Sequence, residues 1–175
     1  MTLALPFPGK LPAGYNWLTD EPTFDPERHL ALEVPARITS LTDLDYAESE
    51  VSSKATAIAA STPFRILSDE GVAVMQAVAL RLQVFTRPAG ERIERTVCAG
   101  CYRSRWLSDF CVSVDVTEHL AKIYAIPVAP HPMALHLGHM HFAPEAANEA
   151  VDKWHHDTLP LDYVMMVTDP ASIHG

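Results

Sequence analysis

The strongest constraint on the fold is the segment between two prolines, Pro63 and Pro88. Its large apolar residues recur at spacings of three and four, the period of one helix face, and they are Met75, Val78, Leu82 and Phe85. Ser68 or Asp69 can cap the N-terminus. Arg87-Pro88 ends the pattern, because a residue before proline is displaced from the helical conformation. The segment therefore predicts a long core helix.

One region of the chain precedes this helix, and a second region includes it. Residues 1–40 carry six prolines and predict an extended arm on the surface. The side chains expected to pin the arm are those of Tyr15, Trp17, Leu18 and Phe24. Residues 41–126 have mainly helical patterns, beginning with a weak helix over 40–60 that Thr42 or Asp45 would cap. The helical patterns continue in TVCAGCYRSRWLSDF, where Ser104 would start a turn, and in DVTEHLAKIYAIPV, where Asp115 or Thr117 would do so.

The predicted secondary structure changes from helix to strand after residue 126. Residues 133–175 contain two strand-like stretches, MALHLGHMHFAP and DYVMMVTDP. Helices come first and strands last, which predicts an α+β fold for residues 1–175, taken as a single domain.

The charge balance narrows the class of partner. The chain has 13 Lys and Arg against 22 Asp and Glu, a formal net charge of −9. Nucleic acids and anionic membranes reward clustered positive charge, so neither is expected as a partner. The sequence has no signal-peptide pattern, and its three cysteines indicate free thiols in a reducing compartment. We therefore expect a cytoplasmic protein, and nothing in the sequence specifies an oligomeric state.

The chain has one His-x-acid pair, His155-His156-Asp157. On a strand, His155 and Asp157 would share a face and His156 would point away from it. Two histidines and one carboxylate hold a redox-active iron and leave positions open for a co-substrate and oxygen. About one such pair is expected by chance in a chain of this composition, so the motif has weight only in its context.

That context resembles the phytanoyl-CoA dioxygenase-like branch of the Fe(II)/2-oxoglutarate-dependent oxygenases. In that family a strand ends in His-x-Asp, an apolar strand follows, and a turn leads to the glycine-rich start of the next strand. The corresponding pieces here are His155-His156-Asp157, DYVMMVTDP and the terminal SIHG. Upstream, PFRILSDEGV, YRSRWLSDF and HLGHMHFAP come in a similar order, so the resemblance covers residues 60–175.

The resemblance implies a fold, a reaction and a metal site. N-terminal helices would pack on a double-stranded β-helix, or jelly roll, that is incomplete in these 175 residues. The implied enzyme is a non-haem iron dioxygenase that uses Fe(II) and 2-oxoglutarate to hydroxylate a small organic substrate. His155 and Asp157 would be metal ligands, positioned by Trp154 and by the strand over 163–167.

The chain departs from the family pattern in one respect. Those enzymes take their second histidine, and the basic residue that binds 2-oxoglutarate, from strands downstream of the His-x-Asp. We therefore expect the sequence, which stops at Gly175, to be the N-terminal part of a longer protein and to be inactive alone. His136, His139 and His141 lie on one predicted strand, and they or His174 are the candidate substitutes. Histidines bonded to neighbours or water are the commoner case.

The cysteines offer a competing metal site. Cys98-Ala-Gly-Cys101, with Cys111 and His119, has the composition of a Cys₃His zinc site. Cys111 and His119 are eight residues apart, which is unusual for zinc. The alternative is three thiols that pack as small hydrophobic groups.

Two further hypotheses are open. Arg103-Ser-Arg105 could bind a phosphate or carboxylate group of a substrate, or it could form a solvated or salt-bridged helix face. The protein as a whole could instead be a non-catalytic binding module whose exposed β edge pairs with another chain.

Overall fold

A computed structural model describes residues 10–89, 93–143 and 162–168. Within these residues the chain has a mixed α+β structure, as the sequence predicts. Its α-helices are Pro26–His29 (α1), Glu48–Val51 (α2), Asp69–Leu82 (α3), Arg105–Cys111 (α4) and Val114–Tyr124 (α5). Its strands are Ile38–Ser40 (β1), Ile58–Ser61 (β2), Arg87–Ala89 (β3), Ile93–Val97 (β4) and Met140–His141 (β5). No helix in this part of the chain is long and apolar enough to cross a membrane.

The strands form two small antiparallel sheets. One pairs β1 with β2, and the other has the order β3-β4-β5. Thr96 lies at the centre of the second sheet, opposite both Arg87 and His141. The two sheets of the described residues share no strand, so the jelly roll stays a prediction.

Serine caps set the start of the three longest helices. Each serine hydroxyl accepts a hydrogen bond from the backbone N–H three residues later, which satisfies one of the free donors at the helix terminus. The pairs are Ser68 with Gly71 (3.0 Å), Ser104 with Leu107 (3.0 Å) and Ser113 with Val116 (3.5 Å). The predicted caps Ser68 and Ser104 are confirmed, whereas α5 begins before the predicted Asp115 or Thr117.

The core helix α3 is confirmed along its length. Met75, Val78 and Leu82 are buried on one face, and the helix ends in a 3₁₀ turn over Gln83–Phe85. Phe85 itself is 39% exposed, so the buried face ends one turn earlier than the spacing predicts. The chain then enters β3 at Arg87, before the proline that cannot continue a helix.

The predicted helix over 40–60 is wrong in extent. The region contains the short helix α2 between β1 and β2, with a 3₁₀ turn over Thr42–Leu44. Here polar side chains accept hydrogen bonds from nearby backbone N–H groups, which competes with helix formation. The Ser40 N–H donates to Asp43 Oδ2 (2.8 Å), and the Asp43 N–H donates to Ser40 Oγ (3.1 Å). Asp45 then takes a left-handed conformation, which ends the turn.

Two other patterns give different elements from those predicted. The start of TVCAGCYRSRWLSDF is the end of strand β4, whose β-branched Ile93, Thr96 and Val97 are buried between two neighbouring strands. The described residues of MALHLGHMHFAP contain a 3₁₀ turn over Ala134–His136 and a bend at 137–138, and only Met140–His141 pairs as a strand. Gly138 has φ +64°, a left-handed conformation that interrupts the alternation.

The core has an aromatic centre supplied by distant parts of the chain. The ring of Trp106 on α4 is fully buried, with its centroid 5.5 Å from those of Phe24 and His29 and 5.8 Å from that of Phe110. Leu18 packs against the same core and donates its N–H to the Arg103 carbonyl (2.6 Å). The proline-rich arm is therefore pinned by Leu18 and Phe24, as predicted.

Candidate functional site

The predicted metal ligands, His155 and Asp157, lie outside the described residues, as do Trp154, His156 and His174. The segment that follows the motif is described from residue 162 to residue 168. The site is therefore built from this segment and from the elements that it contacts.

Residues 162–168 have the alternating burial of an extended chain. Tyr163, Met165 and Val167 are partly buried and pack against the core cluster. Val164 and Met166 point outward, with 79% and 62% of their surface exposed. The predicted period of two is present, but within the described structure the segment forms no strand ladder.

Two side chains from different helices hold the ends of this segment. Gln76 on α3 donates from Nε2 to the carbonyl oxygen of Val167 (3.0 Å). Tyr124 at the end of α5 donates from its hydroxyl to the carbonyl oxygen of Asp162 (3.1 Å). The segment is therefore hydrogen-bonded to α3 at one end and to α5 at the other. Sequence reasoning did not find Gln76 or Tyr124, because each contact joins residues far apart in the chain.

A cavity of about 520 Å³ lies beside the segment. The cavity is also lined by the extended stretch 61–67 and by Val72 and Met75 of α3. Most of the lining is apolar and includes Phe64 and Met165. Pockets that take small molecules have volumes of about 300–1,000 Å³ and are mainly apolar, so the cavity has the size and lining for a small organic ligand.

Most polar groups at the cavity are ion-paired, hydrogen-bonded or uncharged. The Arg65 guanidinium is ion-paired with Asp69, and its Nε donates to the Leu67 carbonyl (2.8 Å). Burial raises the pKa of the Tyr163 phenol, and burial together with the charge of Asp162 raises the pKa of Tyr124. Both phenols are therefore neutral hydroxyls at physiological pH.

The upstream histidines do not form a metal site of their own. The rings of His131 and His136 lie 5.0 Å apart, and those of His136 and His139 lie 5.6 Å apart. His139 and His141 were predicted on one strand, but His139 lies between the bend at 137–138 and β5. Among the described residues, no three His, Cys, Asp or Glu side chains are arranged to hold a metal ion.

The same finding bears on the zinc hypothesis, because all four of its residues are described. Cys101 is fully buried, and a hydrogen bond with the Cys111 thiol, together with burial, raises the pKa of Cys101. A zinc ligand must be a thiolate, which this environment opposes. His119 is bonded elsewhere, with Nε2 2.8 Å from the Glu33 carbonyl oxygen. Cys98, Cys101, Cys111 and His119 therefore form no zinc site in the structure.

Both arginines of the Arg103-Ser-Arg105 motif contact neighbouring side chains of the protein. The Arg103 guanidinium lies over the rings of Phe85 (3.9 Å) and Tyr15 (4.7 Å). Arg105 donates from Nε to both carboxylate oxygens of Asp109 (3.0 Å each). The geometry favours the salt-bridged helix face over an anion site for Arg105.

Comparisons with protein-family models, with curated proteins and with solved structures found no match for this chain.

Proposed function

We propose that the protein is a non-haem Fe(II)/2-oxoglutarate-dependent dioxygenase that hydroxylates a small, largely apolar organic substrate. His155 and Asp157 supply two of the metal ligands, on the incomplete jelly roll that the sequence resemblance implies. The observation that carries the proposal is the position of 162–168. This segment follows the His-x-Asp motif in the chain, has an alternating burial pattern and forms one wall of the 520 Å³ cavity.

Covalent geometry supports placing the metal near this cavity. Asp157 precedes Asp162 by five residues. An extended chain covers at most about 3.5 Å per residue, so the α-carbons of these two residues are at most about 18 Å apart. This limit allows a metal held by Asp157 to lie beside the cavity.

Fe(II), 2-oxoglutarate and oxygen supply the hard chemistry when bound, converting a C–H bond to C–OH as 2-oxoglutarate is oxidised to succinate and carbon dioxide. The described residues have a separate task. Phe64, Val72, Met75 and Met165 exclude water from the cavity and bind the apolar part of the substrate. The neutral hydroxyl of Tyr163 offers a hydrogen bond at the wall of the cavity.

Metal binding tests the proposal directly. Equilibrium dialysis of the purified protein with Fe(II) under anaerobic conditions compares His155→Ala and Asp157→Ala with the wild type. Both variants are expected to lose most of the bound metal, because each removes one of the proposed ligands. His156→Ala is the matched control, since the alternation of a strand turns its side chain away from the other two. Metal retained by Asp157→Ala and His155→Ala overturns the proposal.

A second candidate function follows from the exposed side of 162–168. This stretch has no strand partner in the described structure and exposes Val164 and Met166. An extended edge of this kind can pair with another chain, which makes a non-catalytic interaction module the alternative. Sedimentation velocity at several concentrations tests it: Val164→Lys should abolish self-association, and Leu80→Lys, at a 69% exposed site on α3, should not. A monomer at every concentration overturns self-pairing.

A further inference from the structure

Three histidine rings meet on the segment that connects α5 to β5. His131, His136 and His139 contact one another in a row, with neighbouring ring centroids 5.0 and 5.6 Å apart. We call these three residues the histidine cluster. These separations are shorter than the Debye screening length of about 8–10 Å at physiological salt. Protonation of one ring therefore opposes protonation of the next.

The segment that carries the cluster is docked tightly on the chain before α4. Leu135 accepts a hydrogen bond from the N–H of Ala99 (3.1 Å). A β-carbon at Gly138 would lie 2.8 Å from Leu107 Cδ2 and 2.9 Å from Cys101 Sγ, closer than real side chains approach. The backbone of the segment at Gly138 therefore packs directly on Leu107 and Cys101.

Two rings of the cluster make hydrogen bonds that a neutral imidazole satisfies. His131 Nδ1 accepts from the N–H of Met133 (3.1 Å) and also lies 3.3 Å from the Met133 carbonyl oxygen, to which a protonated Nδ1 can donate instead. His139 Nε2 lies 3.3 Å from the Leu135 carbonyl oxygen, to which it can donate. Partial burial lowers the pKa of His139, and the neighbouring His136, His141 and His131 lower it further, against the opposing effect of its bond to Leu135.

Among the described residues, the other titratable and charged groups near the cluster do not supply a compensating negative charge. Arg95 on β4 donates to the Ala143 carbonyl (3.2 Å) and adds positive charge beside β5. Cys101 lies under Gly138 as a buried thiol with a raised pKa, so it is neutral. Asp109 on α4, the carboxylate that acts on Cys101, is bound by Arg105. An imidazolium in the cluster therefore meets other positive or neutral groups.

We propose that the histidine cluster is a proton-sensitive latch, which holds the segment 131–141 on Gly100 and Cys101 at neutral pH and releases it on acidification. Contact between the rings opposes their joint protonation in the docked state, and the environment of His139 favours its neutral form there. On acidification the rings are protonated with less repulsion in the released state, where they are apart and hydrated. Release uncovers Cys101 and Leu107 without requiring α3 to unfold.

Hydrogen–deuterium exchange tests the latch on the full 175-residue protein. Peptides covering Ala99 and the 3₁₀ turn Gly100–Tyr102 report release, and peptides of α3 report global unfolding. Between about pH 7.5 and about pH 5.0, after correction for intrinsic exchange, the first set is expected to lose protection by roughly threefold or more, the size expected for like charges in contact. α3 is expected to keep its protection, and about 1 M salt should reduce the effect by screening.

Two variants keep the test decisive. In His139→Gln, the amide can still donate to the Leu135 carbonyl but cannot take a proton, so the acid effect should shrink. In H131Q/H136Q/H139Q it should disappear. An undiminished acid effect in the triple variant overturns the latch. Loss of protection in α3 together with the turn also overturns it, because the protein is then unfolding as a whole.

Discussion

Gly71, near the start of α3, packs directly on the backbone of His29, so that a β-carbon at position 71 would overlap the His29 carbonyl oxygen. The same carbonyl accepts a hydrogen bond from the N–H of Ser68 (3.0 Å), and Leu30 bridges to Leu67. This close approach joins α1 to the core helix and buries the His29 ring completely beside Trp106. It explains why a glycine is tolerated in the first turn of α3.

Gly71→Ala is expected to destabilise the protein by about 1–3 kcal/mol, because the added carbon forces the backbones of α1 and α3 apart. Urea unfolding followed by far-UV circular dichroism measures the change. Ala77→Ser, at an exposed position of the same helix, should change the free energy of unfolding by less than about 0.5 kcal/mol. A neutral or stabilising Gly71→Ala would show that the two backbones are further apart than described here.

Trp106→Ala should cost about 3–5 kcal/mol, the range for removing a large aromatic side chain from a core. The ring contacts Phe24, His29 and Phe110, so its loss also detaches the proline-rich arm. Thermal unfolding measures the effect. Trp17→Ala is the matched control, because Trp17 is only partly buried and lies near the Arg105 guanidinium (5.8 Å). Equal destabilisation by the two variants would contradict the assignment of Trp106 to the core.

Ser104→Ala should destabilise the protein by about 1 kcal/mol or more, since it removes the hydroxyl that caps α4 and leaves the Leu107 N–H without that acceptor. Ser104 is fully buried, so water cannot replace the lost bond at low cost. Chemical denaturation compares it with Ser53→Ala, whose exposed hydroxyl bonds only the Glu50 carbonyl. A smaller loss for Ser104→Ala than for Ser53→Ala would refute the capping role.

The His139 ring should titrate below the ordinary histidine pKa of 6.5. Partial burial is the first cause, and the neighbouring histidines contribute. A folded-state pKa below the unfolded value means that the neutral form is favoured by folding, so His139 contributes stability above pH 6.5 that is lost as pH falls through and below this value. Two-dimensional NMR of the imidazole Cε1–H groups measures the midpoint. A midpoint above 6.5 would contradict the described environment.

Val72→Trp should block the cavity. The indole would occupy part of the 520 Å³ space between α3 and residues 162–167. A neutral apolar fluorophore, N-phenyl-1-naphthylamine, is expected to bind the wild type and to lose about tenfold or more in affinity for the variant, because the apolar surface that it needs is filled. Ala73→Trp places the same side chain on the exposed face of α3 and serves as the control. Unchanged binding to Val72→Trp would show that the probe binds elsewhere.

The elements that the sequence predicted correctly depend on neighbours in the chain. Helix α3 follows from the spacing of Met75, Val78 and Leu82, from the Ser68 cap and from Pro88, all within one segment. The anchoring of the arm was also predictable, because Leu18 and Phe24 are large apolar residues in a stretch with no regular structure of its own. The predicted ligands His155 and Asp157 lie outside the described residues, and their role stays a prediction.

The elements that were predicted wrongly depend on partners far away in the chain. Thr96 and Val97 start a pattern that reads as helical, yet they lie in β4 because strands on both sides complete its hydrogen bonds. His139 left the predicted strand because Gly138 turns the chain onto Leu107 and Cys101, about thirty residues upstream.

The sequence by itself determined the α+β class, the core helix with its cap and end, and the attachment of the arm, since each follows from local periodicity and local capping. Only the tertiary structure decided which residues enclose the cavity, how 162–168 is held between Gln76 and Tyr124, and that three histidine rings touch. The physical reason is that burial, desolvation and long-range hydrogen bonds depend on distances in space, which one sequence read residue by residue does not contain.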